Sequence, residues 1–153
     1  MDIFTVSLFG HRRIDDLRNI EVRLTPLVKE LIRTKSYVSF MIGRKGEFDE
    51  YAASVIKHVQ KEISSGNSEL TLVLPYAVAD IEYLENYYDN VIIPEEIYGA
   101  YPKSAITINN RWMIDHSDLV IVYVERNNGG AYASMSYARR QKKEIVNIAF
   151  DNI

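Results

Sequence analysis

Short apolar runs alternate with longer stretches of helical periodicity along the whole chain, and this alternation narrows the possible folds most. Residues 3–9, 37–42, 70–74, 119–124 and 145–150 read as buried strands, and 91–93 as a short one. Between them, residues 17–35 place Ile20, Leu24, Leu27, Val28, Leu31 and Ile32 on one helical face. Pro26 predicts a kink or a restart in that helix, with Thr25 as a cap. A second helix follows the loop 43–49, with Ala52, Ala53, Ile56, Val59 and Ile63 as its buried stripe. Further helices are expected over 80–88, 103–116 and from 131 to about 142. Strand–helix alternation predicts an α/β fold with a mostly parallel sheet covered by helices on both faces.

In such sheets ligands gather outside the carboxyl ends of the strands. Three loops expected there combine glycine with polar residues: 10–13, 43–49 and 127–131. Glycine permits tight turns and close approach of backbone to ligand, and the N–H groups at a helix start suit phosphate. Gly129 and Gly130, followed at once by a helix and Ala131, fit this best, although a plain turn also explains them. Gly10, Gly43 and Gly46 belong to the other two loops. Arg12 and Arg13 suit bidentate phosphate contact, or else surface pairing with Asp15 and Asp16. Arg12, nearer the strand end, is the preferred ligand contact. His11 donates to a ligand or caps a turn. Arg111 points toward the sheet edge or pairs with Asp115. Tyr76, after Leu74-Pro75, is placed to stack on a base. Asp49 reads as a helix N-cap, whereas Glu47, beside Gly46, is the candidate catalytic carboxylate.

The totals exclude other classes. A net charge of −3 argues against general nucleic-acid binding. The absence of cysteine removes disulfides, iron–sulfur clusters and cysteine zinc sites. His11, His58 and His116 lack metal-ligand spacing, and Ser134 and Ser136 lack a partnering base. No metal and no cofactor are expected. The basic run 139–143 reads as a solvated helix end. No targeting segment or membrane span is seen, so a cytoplasmic protein without membrane contact is expected.

Asn110-Arg111-Trp112-Met113, then Ser117-Asp118-Leu119-Val120-Ile121, then Gly129-Gly130-Ala131 resemble the SLOG superfamily of Rossmann-like nucleotide-binding proteins. That group includes the Lonely Guy phosphoribohydrolases, the DprA/Smf proteins and the YpsA-like family. Gly10-His11-Arg12, Gly46-Glu47-Phe48-Asp49 and Leu74-Pro75-Tyr76 look most like the YpsA-type branch. The resemblance implies a Rossmann-like three-layer sandwich. In the phosphoribohydrolases two glycines are followed by a third glycine, a threonine and a catalytic glutamate. Here Gly129 and Gly130 match, but Met135 or Ser136 stands where the glutamate would be. The phosphate-binding part is thus similar, and the hydrolytic part differs.

The sequence therefore predicts one domain over residues 1–153 that binds a nucleotide or nucleotide-derived small molecule, as a sensor or sequestering protein. The alternatives are a nucleotide N-glycosidase using Glu47, with Arg12 and Arg111 on phosphate, and a protein-interaction module with a vestigial cleft. A homodimer is expected from the resemblance and from Tyr83, Tyr87, Tyr88, Tyr98 and Tyr101. Nucleic acid is not an expected partner.

Overall fold

The structure is a computed structural model that describes residues 2–150. The strands are β1 (Ile3–Gly10), β2 (Tyr37–Ile42), β3 (Ser68–Val73), β4 (Asn90–Ile92), β5 (Leu119–Tyr123) and β6 (Glu144–Asn147). The helices are α1 (Leu17–Thr34), α2 (Glu47–Ile63), α3 (Ile81–Tyr87), α4 (Pro102–Asp115) and α5 (Gly129–Arg140), with a 3-10 turn at Glu95–Ile97. The strands form one sheet in the order β4-β3-β2-β1-β5-β6. Every neighbouring pair is parallel. All the strand carboxyl ends therefore lie on one edge. The chain fills the sheet outward from β1 to β4, then returns to the other side of β1 with β5. The β1/β5 boundary is the point where strand order reverses, which in open α/β sheets is where a crevice opens.

Alternating side chains explain the three layers. Val6, Leu8, Phe40, Ile42, Leu70 and Leu72 pack beneath α1 and α2, with Ile20, Leu24, Val28, Ala52, Ile56 and Val59. Phe9, Met41, Val73, Val120 and Val122 face the opposite way, onto Met113 and Ile114 of α4 and Ala131, Met135 and Ala138 of α5. Ser7 also faces that side and is fully buried. Its hydroxyl donates to the Met113 carbonyl at 3.0 Å, which ties the central strand to α4.

Three local expectations need correction. Helix α1 runs through Pro26 without a break, and Asp16 caps it by accepting from the Asn19 N–H at 3.3 Å. Thr25 is not a cap. Helix α2 starts at Glu47, with Gly46 in the N-cap position, so Asp49 lies inside the first turn. The last strand ends at Asn147 rather than at 150, because the Asn147 Oδ1 accepts the Ala149 N–H at 3.1 Å and turns the chain away.

Candidate functional site

A cavity of about 610 Å³ opens over the carboxyl ends of β1, β2, β3 and β5. Loops from three separate parts of the chain line it: Gly10 to Arg13, Gly43 to Gly46, and Asn128 to Ala131. The all-parallel sheet brings them together, since each loop leaves a strand at the same edge.

The first loop is held by backbone. The Arg12 carbonyl accepts the Glu47 N–H at 2.8 Å, and Glu47 Oε1 accepts the Ile14 N–H at 2.9 Å. Glu47 thus latches the β1–α1 loop onto the start of α2. It does not line the cavity, so the structure does not bring the expected catalytic carboxylate to the site. Gly46 is packed against the same loop, where a Cβ would lie 3.3 Å from the Arg12 Cα. Gly10 serves packing as well: a Cβ there would fall 2.1 Å from the Phe48 Cγ. Phe48 is fully buried over the end of β1, so glycine is required by α2 as well as by the cavity.

His11 is buried and joins two cavity walls. Its Nε2 accepts the Glu125 N–H at 2.9 Å, so the ring is neutral, with its proton on Nδ1. Burial first, and then the nearby Arg126 guanidinium, hold its pKa below the ordinary value.

Cations gather at the rim. Arg12, Arg13, Lys45 and Arg126 line the cavity. Arg126 also reaches the Arg13 carbonyl at 3.5 Å. Arg44 lines the cavity too, but it is paired with Asp80 at 3.1 Å. Lys45 has a φ of +79° and directs its Nζ to the Tyr76 hydroxyl at 3.2 Å, above the Tyr76 ring. Tyr76 itself is a partly exposed wall. At the opposite wall α5 begins after Asn128 with no side-chain cap. Gly129 has a φ of +89°, and nothing lies within 4 Å of a Cβ built there or on Gly130. The first N–H groups of α5 thus lack a side-chain cap at a cavity wall, an arrangement that favours an anion.

Asp49 is the acidic residue among the cavity's lining residues. Burial, followed by the neighbouring Glu50, pushes its pKa up to about 7, against the pull of Arg12. Asn109 lines the cavity as well. Its Nδ2 donates to the Val73 carbonyl at 3.2 Å, while its buried Oδ1 has no partner among the described residues.

Of the candidates read from sequence, Gly10, His11, Arg12, Gly43, Gly46, Tyr76, Gly129, Gly130 and Ala131 line one cavity, and Glu47 and Arg111 do not. Arg111 is exposed on α4 and lies over the Tyr137 ring at 4.8 Å. Tyr137 in turn donates to Asp115 at 2.7 Å. Arg126, Lys45 and Asn109 are additions. A signal existed for the two cations, since both lie in polar breaks directly after apolar runs; Asn109 gave none. Among the described residues no cluster of His, Asp or Glu has metal-binding geometry, and no helix is long and apolar enough to cross a membrane.

No family model and no curated protein matches the sequence. Solved structures do share its fold. Two structures of the molybdenum cofactor carrier protein of Chlamydomonas reinhardtii superpose with TM-scores of 0.59 and 0.58, at 16% and 15% identity. They are matched over 94% and 98% of this chain and 75% and 78% of theirs. The DNA processing protein A of Helicobacter pylori, described for its single-stranded DNA binding, gives 0.64 at 17% identity. That match covers 93% of this chain and 63% of the other. At these identities the likeness is one of fold: this chain has the Rossmann-like α/β architecture of those proteins, and nothing in the likeness singles out a family or the YpsA-type branch.

Proposed function

We propose that residues 1–153 act as one ligand-binding domain that holds a phosphorylated nucleotide or nucleotide-derived molecule in the cavity, as a carrier, sensor or sequestering protein. One observation carries this reading: a ring of cations, Arg12, Arg13, Lys45 and Arg126, shares a cavity with the uncapped start of α5. Both features favour negative charge, and their field reaches one space. The cavity has the size of a small-molecule site. Leu74, Pro75 and Ile106 provide apolar walls, and Tyr76 a ring on which a base can stack. A cofactor carrier among the structural neighbours supports a holding role, and a single-stranded DNA binder among them keeps nucleic-acid phosphate within the class of anions to test.

The test compares nucleotides with their nucleosides. Nucleoside 5′-monophosphates should raise the melting temperature, and the dephosphorylated nucleosides should do so much less. A charge-assisted hydrogen bond is worth roughly 1.5–3 kcal/mol. Arg12→Ala should therefore weaken the nucleotide by about ten- to a hundredfold. Equal stabilisation by nucleoside and nucleotide would refute the phosphate reading.

A second reading, hydrolysis of an N-glycosidic bond, is favoured by Asp49 alone. It is a carboxyl in the cavity whose pKa of about 7 suits proton transfer near neutrality. Release of free base on incubation with nucleotides, abolished by Asp49→Asn, would establish it.

A further inference from the structure

We propose that Asp49 is a proton-dependent contact to the anionic group of the ligand: as a neutral acid it donates its O–H to an oxygen that Arg12 also holds, and as a carboxylate it repels that oxygen. This rests on the phosphate-binding reading of the cavity.

The geometry comes first. The Asp49 carboxyl lines the cavity from the first turn of α2. No hydrogen bond or ion pair joins it to another described residue. Gly43 and Gly46 flank it: a Cβ on either would stand 3.7 Å from its Oδ2, at ordinary van der Waals contact. A carboxylate in a cation-rimmed cavity, paired with none of the cations, opposes any anion that enters. It ceases to do so by taking a proton, and then it becomes a donor.

The charged and titratable groups around it act as follows. The Arg12 guanidinium, from the β1–α1 loop, favours the carboxylate, and Glu50, the next residue on α2, opposes it. Beyond α3, the Tyr88 phenol is pushed up to about 12, by burial first, then by Tyr87 and Asp49, and stays neutral. Arg44 is engaged with Asp80, and Lys45 with the Tyr76 hydroxyl. Arg13 and Arg126 stand on the rim. His11 is neutral through its bond to the Glu125 N–H. With its pKa pushed up to about 7, Asp49 titrates around neutral pH in the empty protein. An incoming dianion adds like charge and raises that value further. Binding then draws a proton from solvent onto each Asp49 that is still a carboxylate, and no other covalent change occurs.

Proton uptake makes affinity fall as pH rises above the pKa of the empty site, by at most about tenfold per pH unit. A phosphate monoester itself titrates near pH 6, so inorganic sulfate, a dianion throughout this range, serves as the probe beside adenosine 5′-monophosphate. From about pH 6 to about pH 8.5 sulfate should weaken by about thirtyfold. Calorimetry of the nucleotide at about pH 8, in two buffers of different ionisation enthalpy, should report uptake of close to one proton. Asp49→Asn, which stays neutral and keeps a donor, should bind both anions with a flat sulfate profile.

Binding that depends on Arg12 but shows no proton uptake and a flat sulfate profile in the parent protein would overturn the role of Asp49 and leave the phosphate site standing. So would a steep profile that persists in Asp49→Asn, which would move the titration to His11. Failure of both anions to bind at any pH would overturn the phosphate reading and this inference with it. Carbon-13 NMR of the carboxyls checks the premise without ligand: an Asp49 titrating in the ordinary carboxylate range refutes the inference.

Discussion

The two acidic residues of the β2–α2 connection exchange the parts that local sequence suggests for them. Glu47 reads as free for a ligand and Asp49 as a cap, yet Glu47 accepts the Ile14 N–H and Asp49 lines the cavity. The cause is a helix that begins at Glu47. With Gly46 rather than Asp49 as N-cap, the helix starts three residues earlier than expected, and Asp49 is carried into its first turn instead of capping it. Glu47→Gln keeps an acceptor for the Ile14 N–H and should leave nucleotide affinity and stability nearly unchanged. Glu47→Ala, which strands that N–H, should cost about 1–3 kcal/mol in urea unfolding. Loss of affinity in the glutamine variant would return Glu47 to the site. Gly10 provides a second residue-scale prediction. An added methyl collides with Phe48 at 2.1 Å. Gly10→Ala should therefore destabilise by about 1–3 kcal/mol, with partial recovery on adding Phe48→Leu. Equal stability of Gly10→Ala and the parent would show that α2 yields at this point.

At the scale of elements, apolar spacing made most of the fold legible. Tyr37–Ile42 is a strand as read, and the stripes on α1 and α2 are buried as their periodicity predicts. The mistaken points are those where periodicity gives no information. Pro26 is one. Its ring lacks the N–H that would bond the Val22 carbonyl one turn back. Val22 is 60% exposed, so water can satisfy that carbonyl and the helix continues. Tertiary packing of Leu24 and Val28 on either side holds the segment helical despite the local penalty. Pro26→Ala should then stabilise the protein by about 1–3 kcal/mol, since proline costs up to about 3 kcal/mol inside a helix. A lower melting temperature in that variant would mean that the ring supplies packing worth more than the missing bond. Asn109 and Arg111 mark the other limit. They share α4, but their different phases put one in the cavity wall and the other on the outside against Tyr137.

For the molecule as a whole, the convergence of the three glycine loops was legible because it needs only a parallel sheet and strands in alternation with helices. The sign of the cavity was harder to read. A chain of net charge −3 concentrates cations over one edge, and composition cannot report where charge sits. The tyrosines expected at a subunit contact divide into two groups. Tyr87 and Tyr88 stack edge-on with ring centres 5.0 Å apart, and Tyr88 is buried. Tyr83, Tyr98 and Tyr101 are 68%, 69% and 83% exposed. We propose that these three contribute to a homodimer. Light scattering at micromolar concentration should give twice the 17.7 kDa chain mass, and Tyr101→Ser should shift it toward the monomer. A monomeric parent protein would reject the proposal.

The strand order also sets a schedule for the chain during synthesis. β1 is made first and ends in the middle of the sheet, between β2 and β5. Its partner along Val6 to Gly10 does not exist until residues 119–123 have emerged. Until then a nascent chain can lay down β1 to β4 while the backbone groups on the other side of β1 stay unpaired, an open edge of the kind that recruits foreign strands. The pocket is equally late, because its walls are drawn from residues as far apart as Leu8 and Ser134. Ligand cannot help the early half of the chain to fold, and what it can hold together is the seam closed last.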